Sequence, residues 1–432
     1  MSANAPGTPL PQGIGRITPG WLTIVGLAAV AVALGIYAYS LEASEGLVAT
    51  GLRDLGTMGG ATWGLYVTFV VYFGGVAFGG VTLAALIRLL RLDELRPIGR
   101  LGQLLTVVAL LLAAIAILVD LGQPLRGLVN LFLYARPQSP FFGTFTIVLS
   151  GYLFASLVYL YLDGRRDAAI CARTPSRLRW LYRLWAAGYG DSPGERARHR
   201  RASFWLAVAI VPLLVVATST LGFVFGLQAG RPGWYSAVQA PAFVTLAGVS
   251  GVGLLIVLAA VVRRVAGSED RLGLNVFRRL GGLLLGLVLV YLFLLATELF
   301  TATYTGEVVE RRLTEALLWG EFAGIFWAAL AFFLLSLALL LWQALTRRWS
   351  IPLLVVAGLL VNLAAIGKRY LIVVPSQTHG QLLPYPEGSY TPALGEFAVI
   401  AGLFGLGVLL IALFMKVFPI VELPEEEVPA GA

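Results

Sequence analysis

The sequence predicts an all-α integral membrane protein of about ten transmembrane helices. Three observations carry this. The 432 residues are 58% hydrophobic and only 12% charged, and no soluble domain buries so much apolar surface. The chain contains ten uncharged stretches near the roughly 20 residues that a hydrocarbon core about 30 Å thick requires. Leu, Ala, Gly and Val dominate them, without the alternation that marks a membrane barrel. The stretches are 17–41, 55–87, 101–119, 137–162, 202–230, 232–262, 280–297, 322–346, 349–367 and 397–415, numbered here as spans 1 to 10.

Span 1 is too long for the apolar core of a signal peptide and lacks a small-x-small cleavage site, so it reads as a spanning helix. A loop holding Glu42, Glu45, Arg53 and Asp54 follows. Spans 2–5 and 6–9 read as two four-helix bundles, flanked by spans 1 and 10. The division is 1–50 for the N-terminal tail and span 1, 51–203 for the first bundle with its loop, and 204–375 for the second bundle. The remainder, 376–432, holds an outer loop, span 10 and an acidic tail expected to be solvated. Each bundle opens on a Gly-rich helix, "YFGGVAFGG" and "AGVSGVG", and its next helix meets an acid near the outer end, Asp120 or Glu298. The pairs Gly75/Gly79 and Gly282/Gly286 have the spacing that permits close helix contact. In the loop from Asp163 to Arg201, residues 177–185 form an amphipathic segment expected to lie on anionic headgroups.

Charge sets the expected topology. Of the 31 Lys and Arg, 23 fall on the side carrying the N-terminus, six on the other, and two, Lys368 and Arg369, inside span 9. The positive-inside rule then puts both termini in the cytoplasm of a bacterial or archaeal cell, with the protein in the cytoplasmic membrane. The net charge of +8 thus reads as topology rather than as a nucleic-acid surface. Cys171 alone makes no disulfide or cluster ligand set, and no metal site is expected. His199 and His379 fall in expected loops, which excludes a di-haem cytochrome. No phosphate-binding loop is present.

Within that topology, spans 3, 7 and 9 deliver Asp120, Glu298, Lys368, Arg369 and Tyr370 to one layer just inside the outer surface, where Glu321 opens span 8. Intramembrane charges are costly and are functional by default; the structural alternative is a set of bridges and snorkelling bases. Such a layer suits a quinol, which needs an apolar slot, hydrogen-bond partners and a carboxylate to exchange protons. Trp63, Tyr304 and Tyr370 are candidate walls, although aromatics at helix ends are also interfacial anchors. In "AILVDLGQPLRG" Gly122 caps the helix and Pro124 ends it. An anion at a helix C-terminus faces a negative dipole, so Asp120 needs water, Arg126 or a ligand.

Four segments carry a family resemblance. They are "TWGLYVTFVVYFGGVAFGG"; "DLGQP" with Arg126 and "SPFFGTF"; "GRPGWYSAVQAPAFVTLAGVSGVG"; and "GKRYLIVVPSQ…PYPEGSYTPALGEFAVIAGLFGLG". In this order the chain resembles the polysulfide reductase-like (NrfD) membrane subunits, and more their long ten-helix branch, as in alternative complex III. The resemblance implies a cofactor-free anchor taking menaquinone or ubiquinone as substrate. It implies electron exchange with an iron–sulfur partner, accompanied by molybdopterin or cytochrome subunits, and a quinone pocket near the outer face within spans 2–5. On this reading Asp120 is the proton acceptor or donor, and Trp63, Gln123 and Arg126 join it in binding quinone. Glu298, Lys368, Arg369 and Tyr370 are a proton path or a structural charge cluster. The chain departs from members with a histidine near the pocket, having none in an expected helix. A secondary transporter and a purely structural anchor are the rival readings.

Overall fold

The computed structural model describes residues 10–54, 63–134, 136, 138, 146–304, 307–379 and 388–423. The regular structure among the described residues is all helical, without a strand. Ten helices have the length and apolarity to cross a membrane. They are α1 (Pro19–Glu45), α2 (Leu65–Leu89), α3 (Arg96–Asp120), α5 (Thr146–Arg173), α7 (Pro193–Gly226), α8 (Gln239–Val265), α9 (Leu274–Tyr304), α11 (Ala323–Thr346), α12 (Ile351–Val373) and α14 (Leu394–Val417). Each corresponds to one expected span. Four shorter helices join them: α4 (Pro124–Tyr134), α6 (Arg179–Ala186), α10 (Val308–Leu318) and α13 (Pro375–Thr378). The motif "SPFFGTF" and residues 55–62 of span 2 lie outside the described residues.

Small residues set how closely the helices approach. In lipid, apolar surface alone does not drive helices together, so association depends on dispersion and close backbone contact. A methyl placed on Gly79 of α2 would lie 2.6 Å from Gly251 Cα of α8, so any side chain there forces the two helices apart. Gly80 and Gly102 bring α2 onto α3 in the same way, and the Thr106 hydroxyl donates to Ala77 O across that crossing at 2.8 Å. The opening helices of the two expected bundles, α2 and α8, therefore lie directly against each other, and α2 is buried on nearly all sides. Gly75 serves a different purpose: the space of its missing side chain holds the Arg369 guanidinium. Gly282 and Gly286 were expected to pack on a helix, yet they meet nothing, because their face of α9 points outward.

At the face carrying the N-terminus, three loop expectations are corrected. Helix α5 runs on to Arg173 and α7 begins at Pro193, where Ser192 and Glu195 form a capping box. Charged residues extend these helices because their polar side chains meet solvent beyond the apolar core. His199 consequently lies in a helix, in the charged first turns of α7. The amphipathic segment becomes α6, which docks on protein: Trp185 stacks on Phe418 at 4.4 Å and the Tyr182 hydroxyl donates to Val417 O at 2.8 Å. The C-terminal tail is not wholly solvated. Residues 418–423 form a buried strap, with Phe418, Ile420 and Val421 at 1% exposure or less. The strap is held by Arg100, whose Nη1 donates to Pro419 O (3.0 Å) and to Asp167 (2.6 Å), while Leu423 N donates to the same Asp167 carboxylate (3.0 Å). Arg88 pairs with Asp163 beside it.

Candidate functional site

At the opposite face the expected charge layer is present, but it divides into separate sites. The first lies where α1, α2, α3 and α14 meet. Glu42, expected in a loop, occupies the last turn of α1, because α1 continues beyond the apolar stretch to Glu45. It is buried, and the Tyr66 hydroxyl donates to both of its carboxylate oxygens at 2.6 and 2.7 Å. Glu396, fully buried in the first turn of α14, accepts from Gly51 N (2.9 Å), Ala393 N (2.8 Å) and the Tyr390 hydroxyl. Tyr390 Oη in turn accepts from Leu65 N at 2.7 Å, satisfying an amide at the start of α2. Burial and the Glu396 carboxylate hold this phenol protonated, well above its ordinary range.

Asp120 ends α3 at this face. Among the described residues its Oδ1 is buried without a hydrogen-bond partner, and the charge that acts on it is that of Glu396. Arg126 does not pair with it. Residues 124–134 coil into α4, and the exposed Arg126 guanidinium turns to Gln123 Oε1 at 3.5 Å. Gln123 and Arg126 therefore sit at the rim together, apart from the buried oxygen. In the first bundle a cavity of about 20 Å³ lies between α2, α3, α5 and α7, with Leu110, Ala113 and Tyr152 in its wall. Leu110 and Ala113 precede Asp120 by two to three turns, roughly 10–15 Å. The Tyr152 hydroxyl there is buried beside Thr106 of α3.

The second site joins Glu298 of α9 to Lys368 of α12 at 2.9 and 3.0 Å, as their shared layer suggested. Arg369, one residue on, leaves on another face of α12. It is 2% exposed, stands over the Tyr72 ring at 5.4 Å and donates to Ser250 Oγ at 3.1 Å. Tyr370 packs on Tyr390 with its hydroxyl 3.5 Å from Tyr390 O, linking α12 to the first site. Trp63 stacks on Trp234 at 5.5 Å and meets Phe225 edge-on, while its main chain exchanges two hydrogen bonds with the Gln377 side chain. Tyr304 is 73% exposed and, among the described residues, stacks on Phe300. Glu321 lies 3.9 Å from His379 Nδ1. No group of three or more potential metal-ligating side chains occurs among the described residues.

A match to the family model described as "Polysulphide reductase, NrfD" covers residues 54–380, from the approach to α2 through α13. The chain belongs to the NrfD family. Three curated relatives match along nearly their whole length. A chain named as a dimethyl sulfoxide reductase membrane subunit, from Halobacterium salinarum, is 30% identical over 95% of this chain and 94% of its own. A chain named as a subunit of selenate reductase, from Mesobacillus selenatarsenatis, is 24% identical over 94% and 95%. An Hdr-like menaquinol oxidoreductase integral membrane subunit from Archaeoglobus fulgidus is 22% identical over 94% and 95%.

Glu42, Glu396, Tyr66 and Tyr390 were not singled out from the sequence of this NrfD chain. The signals were faint but present. Glu396 directly precedes the uncharged stretch 397–415, and Glu42 directly follows the uncharged stretch 17–41.

Proposed function

We propose that this NrfD chain is the quinone-reactive membrane subunit of a respiratory oxidoreductase complex, with Asp120 as the group that exchanges protons with the bound quinol. The observation that carries this reading is the Asp120 carboxyl. Its Oδ1 is buried at a helix end and lacks a partner, whereas the neighbouring acids Glu42 and Glu396 are saturated by tyrosines and amides. A buried polar group without a partner is costly unless a ligand or water completes it. Relatives named as reductase subunits and as a menaquinol oxidoreductase subunit support the same assignment.

Oxidation of one quinol yields one quinone, two electrons and two protons. The electrons pass to an iron–sulfur partner subunit, and the Asp120 carboxylate takes the two quinol protons one after the other, releasing each at the rim beside Gln123 and Arg126. In the reverse direction the same carboxyl supplies the protons. The excess of Lys and Arg on the side of the termini assigns that side to the cytoplasm and the Asp120 side to the outer face. The test is quinol-dependent reduction of the partner's cluster in the purified complex. Asp120→Asn lowers turnover by about 10²-fold or more, with the quinol KM unchanged and a flattened pH profile. An unchanged rate and profile would remove Asp120 from the reaction.

A further inference from the structure

Beyond Asp120, the second half of the chain contains a cavity of about 90 Å³ at the same face, between α9, α10, α12 and the 232–238 loop. That volume is about three times a water's share of the liquid and below the roughly 150 Å³ that holds benzene, so a ring enters part-way and its remainder lies in the opening. Its walls include the Trp234 indole, Phe326, Leu313 and Leu371. The indole is fixed in place by its Nε1–H donating to Ile372 O and by its stack on Trp63. Polar groups occur at two depths. The Glu298–Lys368 pair stands at the inner end, with Lys368 only 12% exposed. Ser376 lies two turns further along the chain, 1% exposed, and its Oγ has no hydrogen-bond partner. The buried Ser376 hydroxyl lines a cavity whose wall also holds Glu310 and Thr314, and it is left short of one hydrogen bond, which a ligand oxygen supplies.

The geometry points to this cavity as a binding site for the ring of a quinol or quinone, distinct from the Asp120 site. Its oxygens meet Ser376 Oγ and the Glu298–Lys368 pair. The inference rests on the proposed quinone function and concerns binding only. Apolar walls with hydrogen-bonding groups at two depths match an aromatic ring that carries an oxygen at each end. A water cluster would instead leave Trp234, Phe326 and Leu313 facing water.

The experiment photolabels the intact complex with a short-tailed azido-quinone and maps the labelled peptides in wild type, Ser376→Ala, Leu313→Trp and Asp120→Asn. The expected result is labelling of peptides containing 310–317 and 371–376. It falls about tenfold at sub-saturating probe in Ser376→Ala, is lost when Leu313→Trp fills the cavity, and persists in Asp120→Asn. Ser376→Ala removes one atom and keeps the packing, so it remains informative if the tryptophan variant does not assemble. Labelling confined to α3 and its flanks overturns this site and leaves the proposed function standing. Labelling of partner subunits alone overturns both. Cavity labelling that Ser376→Ala leaves unchanged overturns the role given to the hydroxyl and with it the site.

Discussion

Replacing Asp167 by Asn should destabilise the protein more than removing Asp167 and Arg100 together. Both side chains are almost fully buried, at 3% and 1% exposure, with 2.6 Å between Nη1 and Oδ2. At an effective dielectric constant near 20, Coulomb attraction at that separation is about 6 kcal/mol, most of it offset by desolvation. Asp167→Asn leaves the Arg100 guanidinium buried without its anion, at a cost of about 3–5 kcal/mol, or roughly a 10²- to 10⁴-fold shift in the unfolding equilibrium. In Arg100→Met/Asp167→Leu no charge remains. The loss is then the hydrogen bonds to Pro419 O, Asp163 O and Leu423 N, about 2–3 kcal/mol in total at about 1 kcal/mol each, at or below the cost of the lone buried cation. The assay is denaturant unfolding of the purified chain in lipid nanodiscs, with hydrogen exchange at residues 418–423 reporting release of the strap. A double variant less stable than Asp167→Asn, or a single variant within about 1 kcal/mol of wild type, refutes the reasoning.

Three further outcomes are expected. Gly251→Val should cost about 3 kcal/mol, the upper range for overpacking, because its first carbon would sit 2.5 Å from the Gly79 main chain; the detergent concentration at half-unfolding measures this. Glu298→Gln should cost about 2 kcal/mol, between an exposed and a fully buried pair, and adding Lys368→Met should recover most of the loss in thermal inactivation. Glu310 in α10 has its proton affinity raised by burial and by Glu307. Its contribution to stability is therefore complete below the carboxyl's ordinary range and is lost as pH rises through the elevated value. Protection factors over 308–318, corrected for the intrinsic rise of amide exchange with pH, should fall from pH 4 to pH 7 in wild type and stay constant in Glu310→Gln.

The spans were legible because twenty apolar residues admit one solution in a bilayer, a helix with its backbone bonded internally. Their ends were less so. Charged turns such as Arg165–Arg173 and Pro193–Arg201 extend α5 and α7 beyond the apolar run, and hydropathy does not register that extension. The short helices α4 and α10 were missed because their amphipathic pattern spans only 11 residues each. Asp120, Glu298 and Lys368 stood out as charges in apolar surroundings, and topology put Glu298 and Lys368 in one layer without pairing them. The departure of Arg369 to Tyr72 and Ser250 was not legible, since it depends on the space at Gly75 on a helix nearly 300 positions away. The Glu42–Tyr66 and Tyr390–Glu396 bonds were hidden for a similar reason: each joins an acid to a phenol through packing that local spacing does not encode.

The pairing of α1 with α14 sets a constraint on biogenesis. Gly35 and Gly402 hold these two helices in close contact, and Gln12 exchanges two hydrogen bonds with Val421 at the chain ends. At 5–20 residues per second, the ribosome needs roughly 20–70 s after making Gly35 to reach Gly402. For that interval α1 sits in the bilayer without its mate, and until α2 emerges its buried acid Glu42 also lacks Tyr66. Insertion of α14 therefore closes this contact. A ribosome that stops before residue 394 leaves an open bundle edge, with the α1 glycine face and the amide of Gly51 uncovered, for membrane quality control to recognise.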